Sequence, residues 1–332
     1  MHRPTRRTLV KAAALAPLVP AALWVARPAA AAEGAWPARP IRLVVPFSAG
    51  GTVDVTARLA AVQLGRMLAV PVVVDNLPGA GGGIAAARVA KSPADGYTLL
   101  FTTPSHTINP ALYPRLPYDT EKDFAPIALV AEIPELLVAS SSQPFRDFAG
   151  FVAYARAHPG ALNYGSAGNG TLPHVTMELL LQRLKLQVTH VPYKGAAPAL
   201  NDLIAGQLAL KMDTIATASP HVRSGKLRAL AIAGARRSPL MPEVPTVAEL
   251  GLPGYEGILW MGVLAPAGTP APVIDRLHRA IAALRTDAAY LQQLREAGVD
   301  PVASDPAGFA ARIRTELGQW AGVVAASHIT AE

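Results

Sequence analysis

Cysteine is absent from all 332 residues of the sequence. This absence excludes disulfide bonds, thiolate metal ligands and a cysteine nucleophile, and it leaves no thiol that would carry a lipid anchor. Other site signatures are also missing, because there is no G-K-[ST] phosphate loop, no H-E-x-x-H motif and no metal-ligand spacing among the eight histidines. We therefore expect no metal, no cofactor and no catalytic residue.

Charged residues make up 16% of the sequence, and their basic excess is concentrated at the N-terminus. Residues 1–32 contain five Lys or Arg residues and no acidic residue, so the formal net charge of +7 falls to +2 without them. A nucleic-acid-binding surface typically has a stripe of basic residues with aromatic residues between them, and the arginines of this sequence form no such stripe. We therefore expect no nucleic-acid partner.

Residues 1–32 have the layout of an export signal. Arg6 and Arg7 precede an apolar stretch that extends to Val25, and small residues offer a cleavage site near Ala32. The alternative is an uncleaved membrane anchor, but the stretch is alanine-rich, interrupted by two prolines and short of about 20 strongly apolar residues. We therefore predict a twin-arginine signal peptide, and the periplasm as the location of the mature protein.

Strand-like and helix-like patterns alternate through most of the remaining chain. Ile41–Val45 and Val70–Val74 are apolar strand-like runs, and apolar residues recur at helical spacing between them. Near-continuous apolar strands are typical of a parallel sheet that helices cover on both faces. The sequence therefore predicts an α/β fold.

Three later segments indicate that the chain passes between two lobes. Ala128–Val130 and Leu136–Ala139 are predicted as strands on either side of Pro134, and Trp260–Leu264 is predicted to cross back. The mature chain of about 300 residues is long enough for two domains of ordinary size, so we predict two lobes with a cleft between them. The predicted lobes are residues 33–135 with 260–332, and residues 136–259.

A glycine-rich turn follows the first predicted strand and opens a helix pattern. Its residues are Phe47, Ser48, Ala49, Gly50, Gly51 and Thr52. Backbone N–H groups at the start of a helix bind anions, and ligands of open α/β sheets lie at the carboxyl ends of strands. The alternative is structural, with glycines that permit a tight turn and Asp54 interacting with first-turn N–H groups. We predict that residues 47–52 bind a ligand.

A second turn of similar design ends the strand predicted at Leu162–Tyr164. It contains Ser166, Ala167, Gly168, Asn169, Gly170 and Thr171. The glycines remove side chains from the loop and the polar residues supply hydrogen-bonding groups, so we predict this turn as the opposite jaw of an anion site. Thr171 is equally a candidate helix cap, and His174 is predicted to pack or form hydrogen bonds rather than act as a general base.

The second turn also leaves a hydrolase as an alternative. The segment Tyr164-Gly165-Ser166-Ala167-Gly168 nearly matches the G-x-S-x-G nucleophile elbow, but a tyrosine stands in place of the first glycine. An exported hydrolase of this kind would use Ser166 together with His174.

Lys211 and Asp213 lie two residues apart in a predicted strand, so their side chains share one face of the sheet. With Thr214 they stand at the carboxyl end of that strand, where the sheet meets the cleft. Two roles remain open for them. In the first they bind the ligand, and in the second they are structural, as an internal ion pair or as part of a solvent-exposed edge. We include Lys211, Asp213 and Thr214 among the predicted binding residues.

Motifs of one known family run along essentially the whole chain after the export signal. They are Pro37-x-x-Pro40-Ile41, Val44-Val45-Pro46-Phe47 with Gly50-Gly51 and Asp54, Asn76-x-Pro78-Gly79-Ala80-Gly81-Gly82, Asp95-Gly96-Tyr97-Thr98-Leu99-Leu100, Asn109-Pro110-x-Leu112-Tyr113, Leu162-Asn163-Tyr164-Gly165-Ser166, Gly168-Asn169-Gly170-Thr171 with His174, His190-Val191-Pro192-Tyr193-Lys194-Gly195, Gly225-Lys226-Leu227-Arg228-Ala229-Leu230, Pro245-Thr246-Val247 and Leu264-Ala265-Pro266-Ala267-Gly268-Thr269-Pro270. In this order and spacing, the chain resembles the Bug/TctC family of periplasmic solute-binding proteins of tripartite tricarboxylate transporters.

The resemblance implies a two-lobed periplasmic-binding-protein fold, type II-like, in which each lobe is a mixed, mainly parallel sheet flanked by helices and two crossover strands form the hinge. In the family, backbone atoms of the two turns and bridging waters hold a carboxylate, and no reaction is catalysed. We expect a monomer that captures a small carboxylate (a di- or tricarboxylate, an aromatic acid or an amino acid) by hinge closure and delivers it to the membrane subunits of a tripartite tricarboxylate transporter. A sensor that presents the ligand to a signalling partner is the alternative.

The resemblance also bears on the nature of the ligand. The residue that matches Asp213 lies at the cleft in the family, where it can bind an amino group in amino-acid-binding members. This chain departs from the family pattern at Lys211, at Thr214-Ile215-Ala216 and at Met261. We hypothesise that Lys211 either neutralises Asp213 or adds a second positive anchor, which favours a dicarboxylate over an amino acid.

Overall fold

The computed structural model of the protein describes residues 36–331. The signal peptide predicted for residues 1–32 lies outside this range and stays a prediction. Within the described range, no helix is both long enough and apolar enough to cross a membrane.

Strands and helices alternate along the chain, as the sequence predicts. The strands are β1 (Ile41–Val45), β2 (Val72–Asn76), β3 (Thr98–Thr102), β4 (Phe124–Ser140), β5 (Asn163–Ser166), β6 (Thr189–Pro192), β7 (Leu210–Thr214), β8 (Leu227–Ala233), β9 (Ile258–Pro266) and β10 (Asp300–Pro301). The helices are α1 (Thr52–Leu68), α2 (Gly83–Ala90), α3 (Ser105–Leu112), α4 (Phe148–Ala157), α5 (Leu172–Leu184), α6 (Ala196–Ile204), α7 (Ile215–Arg223), α8 (Ala271–Ala283), α9 (Ala288–Glu296) and α10 (Pro306–Ala326).

The described strands form one mixed sheet in the order β2-β1-β3-β9-β4-β7-β5-β6, with β8 and β10 paired to β4 off this path. Strands β1, β2 and β3 pair in parallel on one side, and β5, β6 and β7 pair in parallel on the other. Strands β4 and β9 lie between these groups and run antiparallel to their neighbours. The predicted α/β fold with two mainly parallel lobes is confirmed.

Strand β4 connects the two parallel groups. Its first part, Phe124–Pro134, pairs with β9, and residues 135–139 pair with β7. The prediction of two separate strands in this region is wrong, because β4 is continuous through Pro134. Pro134 stands at the end of the ladder with β9, where its missing N–H interrupts little of the pairing. The exact bounds of the two lobes stay a prediction.

Helix α3 has no counterpart among the helices predicted from the sequence. It is short and contains Pro110, which lacks the N–H that would bond to the His106 carbonyl one turn earlier. In the structure that carbonyl accepts a hydrogen bond from Thr120 Oγ1 at 3.4 Å instead. The helix is therefore completed by a contact from a later segment of the chain.

Helices cover both faces of the sheet, which explains why its strands are nearly continuous apolar runs. On β4, Leu137 packs in one buried cluster with Val175 of α5. The alternate residues Leu136 and Val138 pack in another cluster with Leu203 of α6. This double burial leaves the ends of the strands as the part of the sheet that is open to a ligand.

Candidate functional site

The first glycine-rich turn joins β1 to α1 and is held in place by Asp54 and Asn76. Asp54 Oδ2 accepts hydrogen bonds from the Gly50 N–H at 2.9 Å and from Arg58 Nε at 3.0 Å. Asn76 Nδ2, at the end of β2, donates to Asp54 Oδ1 at 2.8 Å and to the Phe47 carbonyl at 3.0 Å. The Gly50 N–H therefore already has its hydrogen-bond acceptor within the protein, which is the Asp54 carboxylate.

Asp54 has a structural role, but its partner is the Gly50 N–H before the helix rather than the first-turn N–H groups considered in the sequence analysis. Its side chain is buried, and desolvation by burial would raise the pKa of the carboxyl group, but hydrogen bonds from Arg58, Gly50 and Asn76 outweigh this effect and lower the pKa. Helix α1 has Gly51 as its N-cap and no side-chain cap. The turn is therefore rigid while first-turn N–H groups of α1 remain without a side-chain acceptor.

The second turn joins β5 to α5 and is held by its own hydroxyl groups. Ser166 Oγ accepts a hydrogen bond from the Gly168 N–H at 3.1 Å, and Thr171 Oγ1 donates to the Gly168 carbonyl at 2.7 Å. Thr171 occupies the N-cap position, but its hydroxyl makes no capping hydrogen bond to α5. As with α1, the start of α5 lacks a side-chain acceptor for its N–H groups.

Both turns line one cavity of about 270 Å³. Its wall is built from the ends of strands and the starts of helices on both sides of the sheet. The lining residues are Phe47, Val53, Gly81, Thr103, Pro104, Ser105, Asn109, Leu112, Tyr113, Asn169, Gly170, Thr171, Leu172, Pro173 and Leu259. The cavity thus lies where the carboxyl ends of parallel strands place a ligand in α/β folds.

Helix α3 supplies a third wall that the sequence patterns did not reveal. Ser105 is its first residue, and Asn109 Nδ2 donates to the Gly81 carbonyl at 3.1 Å, which ties α3 to the loop before α2. Leu112, at the end of α3, lies against Gly170 of the second turn. The family motif that contains Asn109 and Leu112 was the one sequence signal for this wall.

The lining of the cavity contains no acidic and no basic side chain. First-turn residues of α1, α3 and α5 line it, and none of these helices has a side-chain cap. The positive ends of three helix dipoles therefore meet at the cavity, and no side-chain cap covers them. This environment favours an anion and disfavours an ammonium group, without a Lys or Arg in the wall.

The structure brings four of the predicted binding residues into the cavity wall, namely Phe47, Asn169, Gly170 and Thr171. The remaining residues of the first turn are Ser48, Ala49, Gly50 and Gly51, which are exposed, and Thr52, which is half-buried. The remaining residues of the second turn are Ser166, which is buried, and Ala167 and Gly168, which are half-buried. Lys211, Asp213 and Thr214 are also outside the cavity lining.

Lys211 and Asp213 form a buried ion pair in β7. Lys211 Nζ lies 2.8 Å from Asp213 Oδ2, and the two side chains are 1% and 5% exposed. Asp213 Oδ1 also accepts hydrogen bonds from the Thr214 N–H at 2.8 Å and Thr217 Oγ1 at 2.7 Å. Thr214 is the N-cap of α7. The geometry is that of the internal ion pair, in which Lys211 neutralises Asp213.

Glu135 is a further buried carboxyl group near this pair, and no sequence motif pointed to it. It lies opposite Thr214 in the pairing of β4 with β7, and its Oε2 has no hydrogen-bond partner. Burial raises its pKa to about 8, although the charge of Lys211 acts in the opposite direction. Glu135 is therefore mostly protonated at neutral pH.

The side chains that a hydrolase would need are engaged elsewhere. Ser166 Oγ lies 2.7 Å from His190 Nε2, while His174 Nδ1 accepts the Gly170 N–H at 3.0 Å. Ser166 is 0% exposed, so a substrate has no access to its hydroxyl. The prediction that His174 is a hydrogen-bonded residue is confirmed. Among residues 36–331, no three His, Asp or Glu side chains are grouped so that they would hold a metal ion.

The protein-family model TctC, described as the tripartite tricarboxylate transporter family receptor, matches residues 56–328 of the chain. The chain belongs to the TctC family. The resemblance inferred from the motifs is thereby confirmed. TctC proteins are solute-binding receptors rather than enzymes.

Relatives within the TctC family include a curated protein and solved structures. Protein BugT of Bordetella pertussis is 38% identical over 291 residues, which cover 87% of this chain and 89% of BugT. The structure of Rpa4515 from R. palustris with adipate has 38% identity and a TM-score of 0.77, and it covers 89% of this chain and 99% of Rpa4515. The structure of MatC from Rhodopseudomonas palustris with bound malate has 37% identity and a TM-score of 0.72, and it covers 87% of this chain and 99% of MatC.

Proposed function

We propose that this TctC-family chain is a periplasmic receptor that captures a small carboxylate and delivers it to the membrane subunits of a tripartite tricarboxylate transporter. The observation that carries the proposal is the meeting of the first turns of α1, α3 and α5 at one cavity without charged side chains. Helix starts bind anions such as carboxylate, phosphate and sulfate through their backbone N–H groups. The relatives solved with adipate and with malate support this class of ligand.

The proposed capture step is closure of the two lobes by bending at β4 and β9. Phe47 and Ser105 approach the cavity from one parallel group of strands, and Asn169 and Thr171 approach it from the other. A ligand that contacts both groups at once stabilises the closed arrangement over the open one. The moving bodies in this proposal are the lobes 33–135 with 260–332, and 136–259.

The contacts in this proposal divide the predicted binding residues by role. Phe47, Asn169, Gly170 and Thr171 touch the ligand, together with Ser105 and Asn109 of α3. The other residues of the two turns hold these contacts in position. Lys211, Asp213 and Thr214 stabilise the start of α7 in the second lobe rather than touch the ligand.

The proposed ligand is a carboxylate that lacks an amino group. An ammonium group needs a carboxylate or several carbonyl acceptors, and the cavity wall offers helix N-termini instead. Asp213, the one acid that the family pattern would place near an amino group, is already paired with Lys211.

Calorimetric titration with two matched pairs of ligands tests this assignment. Adipate is compared with 2-aminoadipate, and malate with aspartate, so that each pair differs at one substituent. We expect at least one acid of the two pairs to bind, and its amino counterpart to bind at least about tenfold more weakly. Equal affinity for the amino counterpart would contradict the ligand class, and mass spectrometry of molecules released on denaturation then identifies the true ligand.

Small-angle X-ray scattering tests the closure step separately. We expect the radius of gyration to fall when the binding acid is added at saturation, since the two lobes approach one another around it. No compaction at saturation would contradict capture by closure. Growth of a deletion strain on the ligand as sole carbon source distinguishes delivery to a transporter, which requires the receptor, from a sensor role.

A further inference from the structure

Two stacked imidazoles lie beside the second turn. His174, in the first turn of α5, and His190, in β6, have ring centroids 3.7 Å apart and an interplanar angle of 20°. Tyr164 stacks on His190 with centroids 4.9 Å apart. The sheet explains this arrangement, because Tyr164 and His190 are paired across the parallel strands β5 and β6 and share one face.

Each imidazole holds one end of the turn. His190 Nε2 lies 2.7 Å from Ser166 Oγ, which in turn accepts the Gly168 N–H at 3.1 Å. At the other end, His174 Nδ1 accepts the Gly170 N–H at 3.0 Å. A ring nitrogen that accepts a hydrogen bond has a free lone pair, so Nδ1 of His174 carries no proton and its ring proton is on Nε2.

We propose that His174 and His190 are positioning residues that keep the second turn in its ligand-binding shape. The inference rests on the proposed function, since Gly170 and its neighbours Asn169 and Thr171 line the cavity. Neither imidazole lines the cavity, so both act on the ligand through the turn. If the Gly170 N–H lost its acceptor, a buried donor would be unsatisfied and the backbone would shift to find another partner.

The arrangement holds only while both rings are neutral. A proton on His174 Nδ1 would face the Gly170 N–H donor, and two imidazolium ions at this separation would repel one another. The other titratable groups facing the pair are Tyr164 and Glu178, whose Oε1 accepts the Tyr164 hydroxyl at 2.5 Å. Burial lowers the pKa of His174 to about 4. Burial, and then the charge of His174, lowers the pKa of His190 to about 4 against the opposing charge of Glu178.

The test compares two substitutions of His174 by calorimetric titration at about pH 7 with adipate, or with malate if the wild type binds malate and not adipate. His174→Leu removes the acceptor, whereas His174→Asn places an amide Oδ1 where Nδ1 stood. We expect about tenfold or weaker binding for His174→Leu and recovery to within about threefold of wild type for His174→Asn. The control is His158→Leu, at an exposed histidine after α4, which leaves the affinity unchanged. Unchanged affinity in His174→Leu, or equal losses in both variants, would overturn the positioning role.

A second measurement uses the wild-type protein without ligand, so it does not depend on adipate binding or on the folding of a variant. In wild-type protein labelled with ¹⁵N at histidine and glycine, NMR follows the ring nitrogens of His174 and the Gly170 amide from about pH 7 to about pH 4. We expect Nδ1 to be unprotonated at neutral pH, and the Gly170 amide resonance to shift in the interval where the ring gains its proton. Titration of His174 near its ordinary value of 6.5, with no response at Gly170, would overturn the inference. Failure of every carboxylate to bind would instead contradict the proposed function alone.

Discussion

Gly170 and Leu112 meet at the wall of the cavity with no room for another atom. A Cβ added to Gly170 would lie 2.1 Å from Leu112 Cδ1, and the φ angle of Gly170 is +67°. Leu112 ends α3 and Gly170 belongs to the turn before α5, so the contact joins two separate segments of the cavity wall. Glycine is required at position 170 by the backbone conformation and also by this packing.

Gly170→Ala is therefore expected to destabilise the protein by about 2–4 kcal/mol, from strain at positive φ together with overpacking against Leu112. Gly160→Ala is the matched control, because Gly160 has a φ angle of +73° and no atom within 4 Å of the added Cβ. We expect the control to lose about 1 kcal/mol from backbone strain alone. Urea denaturation measures both variants, and equal losses would show that the contact with Leu112 has no energetic effect.

Asp54→Asn is expected to loosen the first turn and weaken ligand binding, because it removes the charge that holds Gly50 and Arg58. The cost in unfolding free energy is about 1–3 kcal/mol for a buried charged hydrogen-bond acceptor. Asp75→Asn is the control, since Asp75 forms an ion pair with Arg42 in which both side chains are about half exposed, and we expect a change of about 0–1 kcal/mol. An equal change in the two variants would contradict the bracing role of Asp54.

The contribution of Asp54 to stability also depends on pH. Its folded-state pKa is lowered from the ordinary value of 3.8, so the contribution is present above that value and is lost as the pH falls through the folded pKa. The unfolding free energy of Asp54→Asn should therefore fall less steeply with decreasing pH in the acidic range than that of the wild type. The same steep fall in the variant and the wild type would contradict a lowered pKa of Asp54.

Lys211→Met is expected to cost about 3–5 kcal/mol of unfolding free energy, since it leaves Asp213 as a buried charge without its partner. The double variant Lys211→Met with Asp213→Asn removes both charges and should recover much of that loss. Ligand affinity of the folded double variant should equal that of wild type, because neither side chain lines the cavity. A large loss of affinity with intact folding would instead support the role of Lys211 as a second anchor.

Glu135→Gln is expected to make the protein more stable than wild type at and above neutral pH. Burial raises the pKa of Glu135 from 4.5 to about 8, so the folded state holds a proton that the unfolded state has released. Wild-type stability therefore falls as the pH rises from about 4.5 to about 8, and the neutral amide removes this cost. Urea denaturation at several pH values should show an advantage of at least about 1 kcal/mol at pH 8.5 and none at pH 4. Glu121→Gln, at an exposed position, should show no such advantage.

The glycine-rich turns were predictable because they are local patterns. A strand, a run of small residues and a helix start all lie within about a dozen consecutive positions, and backbone preferences act over that distance. The same holds for β1, whose bounds in the structure match the apolar run predicted at Ile41–Val45. Pro134 shows the limit, because a strand break was predicted there and the pairing of β4 with distant strands overrides it.

The sequence by itself determined the fold class, the family and the two turns that face one another, since these depend on short-range patterns and on motif order. Tertiary structure alone decided which groups reach the ligand cavity. It brought α3 against Gly170, turned the Gly50 N–H toward Asp54, and buried Lys211 against Asp213. Each of these outcomes depends on packing between segments or on burial, and neither residue type nor spacing along the chain specifies where a side chain finds its partner.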